Sequence, residues 1–158
     1  MVINNNDIKL IIYDFDGVMT DNKAFIDQHG NEMVKVNRSD GLGVGEITKM
    51  GIKQLIISTE KNKVVKSRAL KLKIECFHGV DDKKTILEEY CEINKIQLEK
   101  VIFVGNDIND EEAMKIVGLP FCPSDANQRI KDISSFVFKS KGGDGVVREL
   151  LDIIIKGK

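Results

Sequence analysis

The chain has 158 residues, 42% of them hydrophobic and 31% charged, with a formal net charge of −1. That length suits one domain with a sizeable core, and the near-neutral balance excludes a global field that would draw in nucleic acid or an anionic membrane. No apolar run approaches the roughly 18 residues of a membrane span, and the opening "MVINNNDIK" lacks the basic-then-apolar pattern of a leader, so a cytoplasmic protein is expected.

In chain order, short apolar β-rich runs alternate with stretches of helical period. The first run, "KLIIYD" (9–14), leads through "FDGVMTD" into "KAFIDQHGNEMVKVN" (23–37). Two strand-like arms around the turn "DQHGN" make that segment a small β-hairpin insertion. A helix is expected at about 40–50, then strand "KQLIIS" (53–58), helix 61–72, strand "IECFHG" (74–79) and helix 83–94. Strand "KVIFVG" (100–105), helix 109–117, strand "LPFCP" (119–123), helix 125–132, strand "SFVFKS" (135–140) and helix 144–156 complete the chain. Strands so continuously apolar are buried on both faces, and the interleaved helices imply a Rossmann-like, doubly wound parallel α/β sheet over the whole of 1–158. Ligands of such sheets sit at the carboxyl ends of the strands. Cys76, Cys91 and Cys122 read as buried small hydrophobes, since their spacing suggests neither a disulfide framework nor a zinc site. His29 and His78 have no second ligand at metal-site spacing.

The strand ends supply the chemistry. Asp14 and Asp16 follow the first strand, Ser58 and Thr59 the next, Gly79 to Asp82 the third, and Asn106 with Asp107 the fourth. Two carboxylates at i and i+2 before a glycine form a turn whose backbone approaches an anion while its oxygens gather a hard divalent cation. A serine hydroxyl and a lysine ammonium nearby neutralise phosphoryl oxygens.

This constellation resembles the haloacid dehalogenase superfamily of phosphotransferases. Its first motif, Asp-x-Asp-Gly-x-x-Thr-Asp, is matched by "DFDGVMTD" (14–21), its second by Ser58, its third by Lys83 or Lys84, and its fourth by "GNDIND" (105–110). The subfamily pattern "GVxDK", matched by "GVDDK" (79–83), favours Lys83. The resemblance implies Asp14 as nucleophile, Asp16 as acid and base, and Ser58 and Lys83 as holders of the transferring phosphoryl group, with Asp110 orienting Lys83. It also implies Mg2+ on Asp14, the Asp16 main-chain carbonyl and the fourth-motif loop, where Asn106 stands in place of the usual Asp. Asn106 brings no charge, so either it or Asp107 is the ligand from that loop.

The short hairpin at the cap position, "SDGLGV" (39–44) and "KGGDGVVREL" (141–150) look like the capless branch. That branch contains phosphatases of Kdo (3-deoxy-D-manno-octulosonate) 8-phosphate and of nonulosonate 9-phosphates such as Kdn 9-phosphate and N-acetylneuraminate 9-phosphate. It implies a homotetramer, for which Ala24, Phe25, Ile26, Met33, Val34 and Val36 are either the oligomer surface or ordinary packing on the same subunit. After Ser58 the chain carries Thr59, Glu60 and Lys61, then Arg68 and Lys71, where the Kdo type has Gly-Arg. That set resembles the nonulosonate 9-phosphate type, with Thr59, Glu60, Arg68 and Lys71 as substrate-binding residues, so a nonulosonate 9-phosphate is expected ahead of Kdo 8-phosphate. A non-catalytic oligomerisation module, like the domain appended to animal CMP-sialic acid synthetases, is the alternative of another class. A phospho-receiver domain is disfavoured, because "CFHG" puts no Asp at the tip of the third strand.

Overall fold

The computed structural model describes residues 7–156. The expectation of no leader at the start of the chain rests on residues 1–6, which lie outside the described residues. The element order is β1 (Leu10–Tyr13), β2 (Thr20–Ile26), β3 (Glu32–Val36), α1 (Arg38–Lys49), β4 (Lys53–Ser58), α2 (Lys63–Leu72), β5 (Glu75–His78) and α3 (Lys83–Asn94). Then come β6 (Val101–Val104), α4 (Glu111–Ile116), β7 (Leu119–Cys122), α5 (Gln128–Ile133), β8 (Phe136–Val137) and α6 (Val146–Lys156). Six strands form one parallel sheet in the order β5-β4-β1-β6-β7-β8, and β2 and β3 pair separately.

Alternation along the strands divides the core in two. Ile11 and Tyr13 of β1, with Ile56, Ile102, Val104 and Phe121, face α1, α2 and α6. Leu10 and Ile12, with Leu55, Ile57, Val101 and Phe103, face α3, α4 and α5. All four residues of β1 are fully buried, so the central strand anchors both layers, and burying an aliphatic side chain contributes about 1.5–3 kcal/mol. The doubly wound expectation holds because each apolar run is covered on both faces.

Several boundaries differ for local reasons. Helix α2 begins at Lys63 because Asn62 caps it, its side chain accepting from the Val64 N–H. The expected strand over 135–140 shrinks to Phe136–Val137, since Glu149 draws the N–H groups of Lys139 and Ser140 onto its carboxylate at 2.9 and 2.8 Å. The hairpin is longer than expected. It starts at Thr20, and its pairing shifts between Thr20 and Ala24. Its tip is closed by the Asp27 carboxylate, which accepts from the N–H groups of His29 and Asn31. The apolar arms split in their roles: Val34 and Val36 pack against the core, whereas Phe25, Ile26 and Met33 are 65–69% exposed. All three cysteines are free; Cys91 and Cys122 are buried and Cys76 half-buried.

Candidate active site

In-register pairing sets the tips of three strands side by side. Tyr13 lies opposite Ile56 of β4 and Val104 of β6, and the Asp14 N–H donates to the Val104 carbonyl at 2.9 Å. Asp14, Asp16, Ser58, Thr59, Glu60, Asn106 and Asp107 thereby line one cavity of about 250 Å³, together with Asn22 and Asn109.

The floor of the cavity is charged and buried. Lys83, the first residue of α3, is 2% exposed and Asp14 4%. The Lys83 ammonium donates to Asp14 Oδ1 at 2.7 Å and to Asp110 Oδ1 at 2.6 Å. Lys84, its rival in the sequence, is only half-buried, and its N–H joins that of Thr85 in being capped by Asp82. Burial pushes Asp14 above the usual carboxylate range, the Asp110 carboxylate adds to the rise, and the Lys83 ammonium opposes both. Burial works downward on Lys83, but the two carboxylates outweigh it and leave the ammonium above its ordinary value. Breaking such a pair by removing one partner costs about 3–5 kcal/mol, because the other charge stays buried. Asp110 also accepts from the N–H groups of Asn106 and Asp107 at 2.8 and 3.2 Å through Oδ2. One carboxylate therefore positions both the lysine and the loop after β6.

Above that floor, the Asn106 amide meets two oxygens. One terminal atom of its side chain stands 2.9 Å from the Asp16 main-chain carbonyl and 3.0 Å from Asp14 Oδ2, and with the nitrogen there the amide donates to both. With the amide oxygen turned to that place instead, three acceptors face one another and a cation among them removes the repulsion. Adjacent oxygens around an octahedral magnesium ion, with metal–oxygen distances of 2.0–2.1 Å, are about 2.9 Å apart. The donor set thus fits a small hard cation. Among the described residues no three His, Cys, Asp or Glu side chains converge as a ligand cluster; this acceptor face consists of one carboxylate, one carbonyl and one amide. Asp107 stands aside from it, its Oδ1 accepting from the Ile108 N–H at 2.8 Å. Gly17 makes the approach possible, for its φ is +88° and a Cβ there would lie 2.0 Å from the Asn106 amide nitrogen.

Asp16 is half-buried and differently held. The Thr20 hydroxyl donates to its Oδ1 at 3.0 Å. Burial raises its pKa, the Thr20 hydrogen bond opposes that, and the Glu60 and Glu32 carboxylates add to the rise. A carboxyl that keeps its proton more readily than usual is suited to protonating a leaving group. Ser58 ends β4 buried, its Oγ accepting from the Glu60 N–H at 3.1 Å.

Two expected binding residues are not brought into the cavity. Arg68 turns toward α1 and donates to the Asn37 carbonyl at 2.8 Å, because α2 packs its inner face there, and Lys71 stands exposed on the same helix. Three contributors carried no role in the sequence reading. Asn22 and Asn109 line the cavity, and Thr20 lay unassigned inside the first motif. The glycine-rich segment after β8 also has a function: the Gly143 N–H donates to the Val18 carbonyl at 3.0 Å. With φ at +74° and the Asp21 nitrogen 2.6 Å from where a Cβ would stand, only glycine buttresses the first-motif loop at that point.

The chain is similar to known proteins over most of its length. Residues 2–150 match the family described as haloacid dehalogenase-like hydrolase. The 3-deoxy-D-manno-octulosonate 8-phosphate phosphatase of Yersinia pestis is 33% identical over 94% of this chain and 80% of its own length. The protein of that name from Escherichia coli K12 is 30% identical over 98% of this chain and 83% of its own. Among solved structures, a HAD family hydrolase from Streptomyces avermitilis superposes with a TM-score of 0.96 at 41% identity, covering 98% of this chain and 89% of that one. The Moraxella catarrhalis 3-deoxy-D-manno-octulosonate 8-phosphate phosphatase, solved with a magnesium ion, a phosphate ion and a KDO molecule, superposes with a TM-score of 0.93 at 28% identity over 98% of this chain and 89% of its own.

Proposed function

The chain belongs to the haloacid dehalogenase-like hydrolase family and is a phosphatase of that type; from that premise we propose that it hydrolyses Kdo 8-phosphate with the help of magnesium. The observation that carries this reading is Asp14 itself, with the Lys83 ammonium on one carboxylate oxygen and the Asn106 side-chain amide, which also meets the Asp16 carbonyl, 3.0 Å from the other. An organic nucleophile so placed is buried, oriented and flanked by positions for two cations.

The chemistry follows from the residues. Asp14 attacks the phosphorus of the monoester, a P–O bond to Asp14 forms, and the bond to the alcohol breaks. Asp16 gives its proton to the departing alkoxide, then takes one from the water that attacks the aspartyl phosphate and frees Asp14. Ser58 and Lys83 hold the equatorial oxygens while charge redistributes. Asp14, the Asp16 carbonyl and Asn106 would hold magnesium, with Asp107 adding negative charge nearby; bound there, it neutralises repulsion between the anionic nucleophile and the phosphate.

The preference for a nonulosonate 9-phosphate expected from Glu60, Arg68 and Lys71 has weaker support than Kdo 8-phosphate. The two relatives compared by sequence carry the Kdo 8-phosphate phosphatase name, and of that set Glu60 alone lines the cavity. Phosphate release from Kdo 8-phosphate, Kdn 9-phosphate and N-acetylneuraminate 9-phosphate, each with magnesium, is the deciding measurement. The highest kcat/KM is expected on Kdo 8-phosphate, and a lead for either 9-phosphate would reverse the assignment. Asp14→Asn abolishes release on every substrate while the fold persists; full residual activity would refute the nucleophile. The exposed Phe25, Ile26 and Met33 support a second proposal, that the hairpin is buried against further copies of the chain in a homotetramer.

A further inference from the structure

Among the described residues three that are not glycine adopt left-handed backbone, Asn22 (φ 60°), Lys73 (φ 58°) and Lys95 (φ 55°). Lys73 and Lys95 are the C-caps of α2 and α3, where that conformation is a routine way to end a helix. Asn22 ends no helix. It interrupts β2 inside the irregularity between Thr20 and Ala24, at the kind of bulge where glycine is the least strained residue. The chain places a polar side chain there instead.

That residue stands at the candidate site. Asn22 lines the cavity with Asp16, Thr59, Glu60 and Asn109, and it is exposed at the rim. Its main-chain N–H donates to Thr20 Oγ1 at 3.2 Å, and the same hydroxyl donates to Asp16 Oδ1 at 3.0 Å. One hydroxyl thus ties the position of Asn22 to that of the proposed acid. Among the described residues the Asn22 amide has no hydrogen-bond partner of its own. The cavity volume of about 250 Å³ admits a phosphoryl group but lies below the roughly 300–1,000 Å³ of sites that enclose a whole organic ligand. The leaving alcohol must therefore extend past the rim, on the side from which Asp16 protonates it.

Resting on the phosphatase reading above, we propose that Asn22 is a specificity-determining residue whose amide hydrogen-bonds a hydroxyl or the carboxylate of the leaving sugar acid. An amide suits that place, because Glu60, Asp107 and Asp16 already crowd the cavity with carboxylates, and a neutral group that both donates and accepts approaches an anionic polyol without repulsion.

The test compares kcat/KM for the best sugar-acid phosphate with that for p-nitrophenyl phosphate, whose leaving group offers neither hydroxyls nor a carboxylate. In Asn22→Gly, which accepts the backbone without strain, the ratio falls about tenfold, mainly through a higher KM for the sugar acid. Asn22→Asp, which also tolerates the backbone, lowers the ratio further through repulsion of the substrate carboxylate. A ratio within twofold of the unmutated protein in Asn22→Gly, or equal losses on both substrates, would overturn the proposal while leaving the phosphatase reading intact. Absence of magnesium-dependent turnover in the unmutated protein would sink both.

Discussion

At the scale of single residues, the site is organised by what each oxygen can accept. Asn106 is the telling case. One end of its side-chain amide meets two oxygens at 2.9 and 3.0 Å; a nitrogen there donates to both, and an oxygen turned there is placed to ligate a hard cation. A carboxylate in its place would supply the same oxygen with a negative charge, and ligand charge is a principal lever on the affinity of oxygen-ligated cations. Asn106→Asp is therefore expected to tighten magnesium binding roughly tenfold, about 1.4 kcal/mol, in a calorimetric titration. Unchanged or weaker affinity would exclude Asn106 from the metal's ligands. At the same scale it is Lys83, not Lys84, that lies buried between Asp14 and Asp110, which supports it as the proposed phosphoryl-holding lysine.

At the scale of elements, the notable device is Asp40. It sits in the first turn of α1, and its Oδ1 accepts from the N–H groups of Val147 and Arg148 at 3.0 and 3.2 Å, capping α6 from another helix. Burial pushes its pKa up to about 6, against those two hydrogen bonds and the Arg68 guanidinium. A carboxyl raised in the folded state binds its proton more tightly there than in the unfolded chain, whose value is about 3.9. Stability contributed by the protonated form is thus present below about pH 4 and lost as the pH rises to about 6, by at most some 3 kcal/mol. Asp40→Asn keeps an acceptor for the α6 N–H groups and cannot titrate. Its unfolding free energy is expected to depend less on pH between 4 and 6 than that of the unmutated protein, as urea titrations at each pH would measure; parallel curves would exclude Asp40 as the source.

At the scale of the whole molecule, sheet order decides where chemistry is possible. With β1 flanked by β4 and β6, the tips of the three central strands meet where the chain reverses direction across the sheet. A cation bound there stabilises the fold by mass action. Magnesium at a hundredfold excess over its Kd adds about 2.7 kcal/mol, or roughly 5–10 °C in Tm for a chain of this size, reversed by chelation. Asn106→Ala should lose most of that shift, and a full shift in the variant would place the ion elsewhere. The hairpin belongs to the same scale. If the proposed homotetramer uses this face, Phe25→Asp, which puts a charge on it, is expected to lower the molecular mass seen by light scattering; an unchanged mass would count against that use.

Much of this was legible along the chain. Continuous apolar runs can be satisfied only by burial on both faces, so the doubly wound sheet followed from "LIIY" and "VIFV", and "DFDGVMTD" offered Asp14 as the candidate nucleophile through its resemblance to the family's first motif. What adjacency cannot carry was decided in three dimensions. Arg68 faces α1 instead of the cavity through helix packing, Asn106 turns inward while Asp107 caps its own turn, and Asn22 enters the cavity rim through a bulge that no local pattern marks. Short-range periodicity and turn chemistry act within a few residues. The direction of a side chain at a site drawn from four strand ends depends on contacts between residues tens of positions apart, and only the folded chain supplies those.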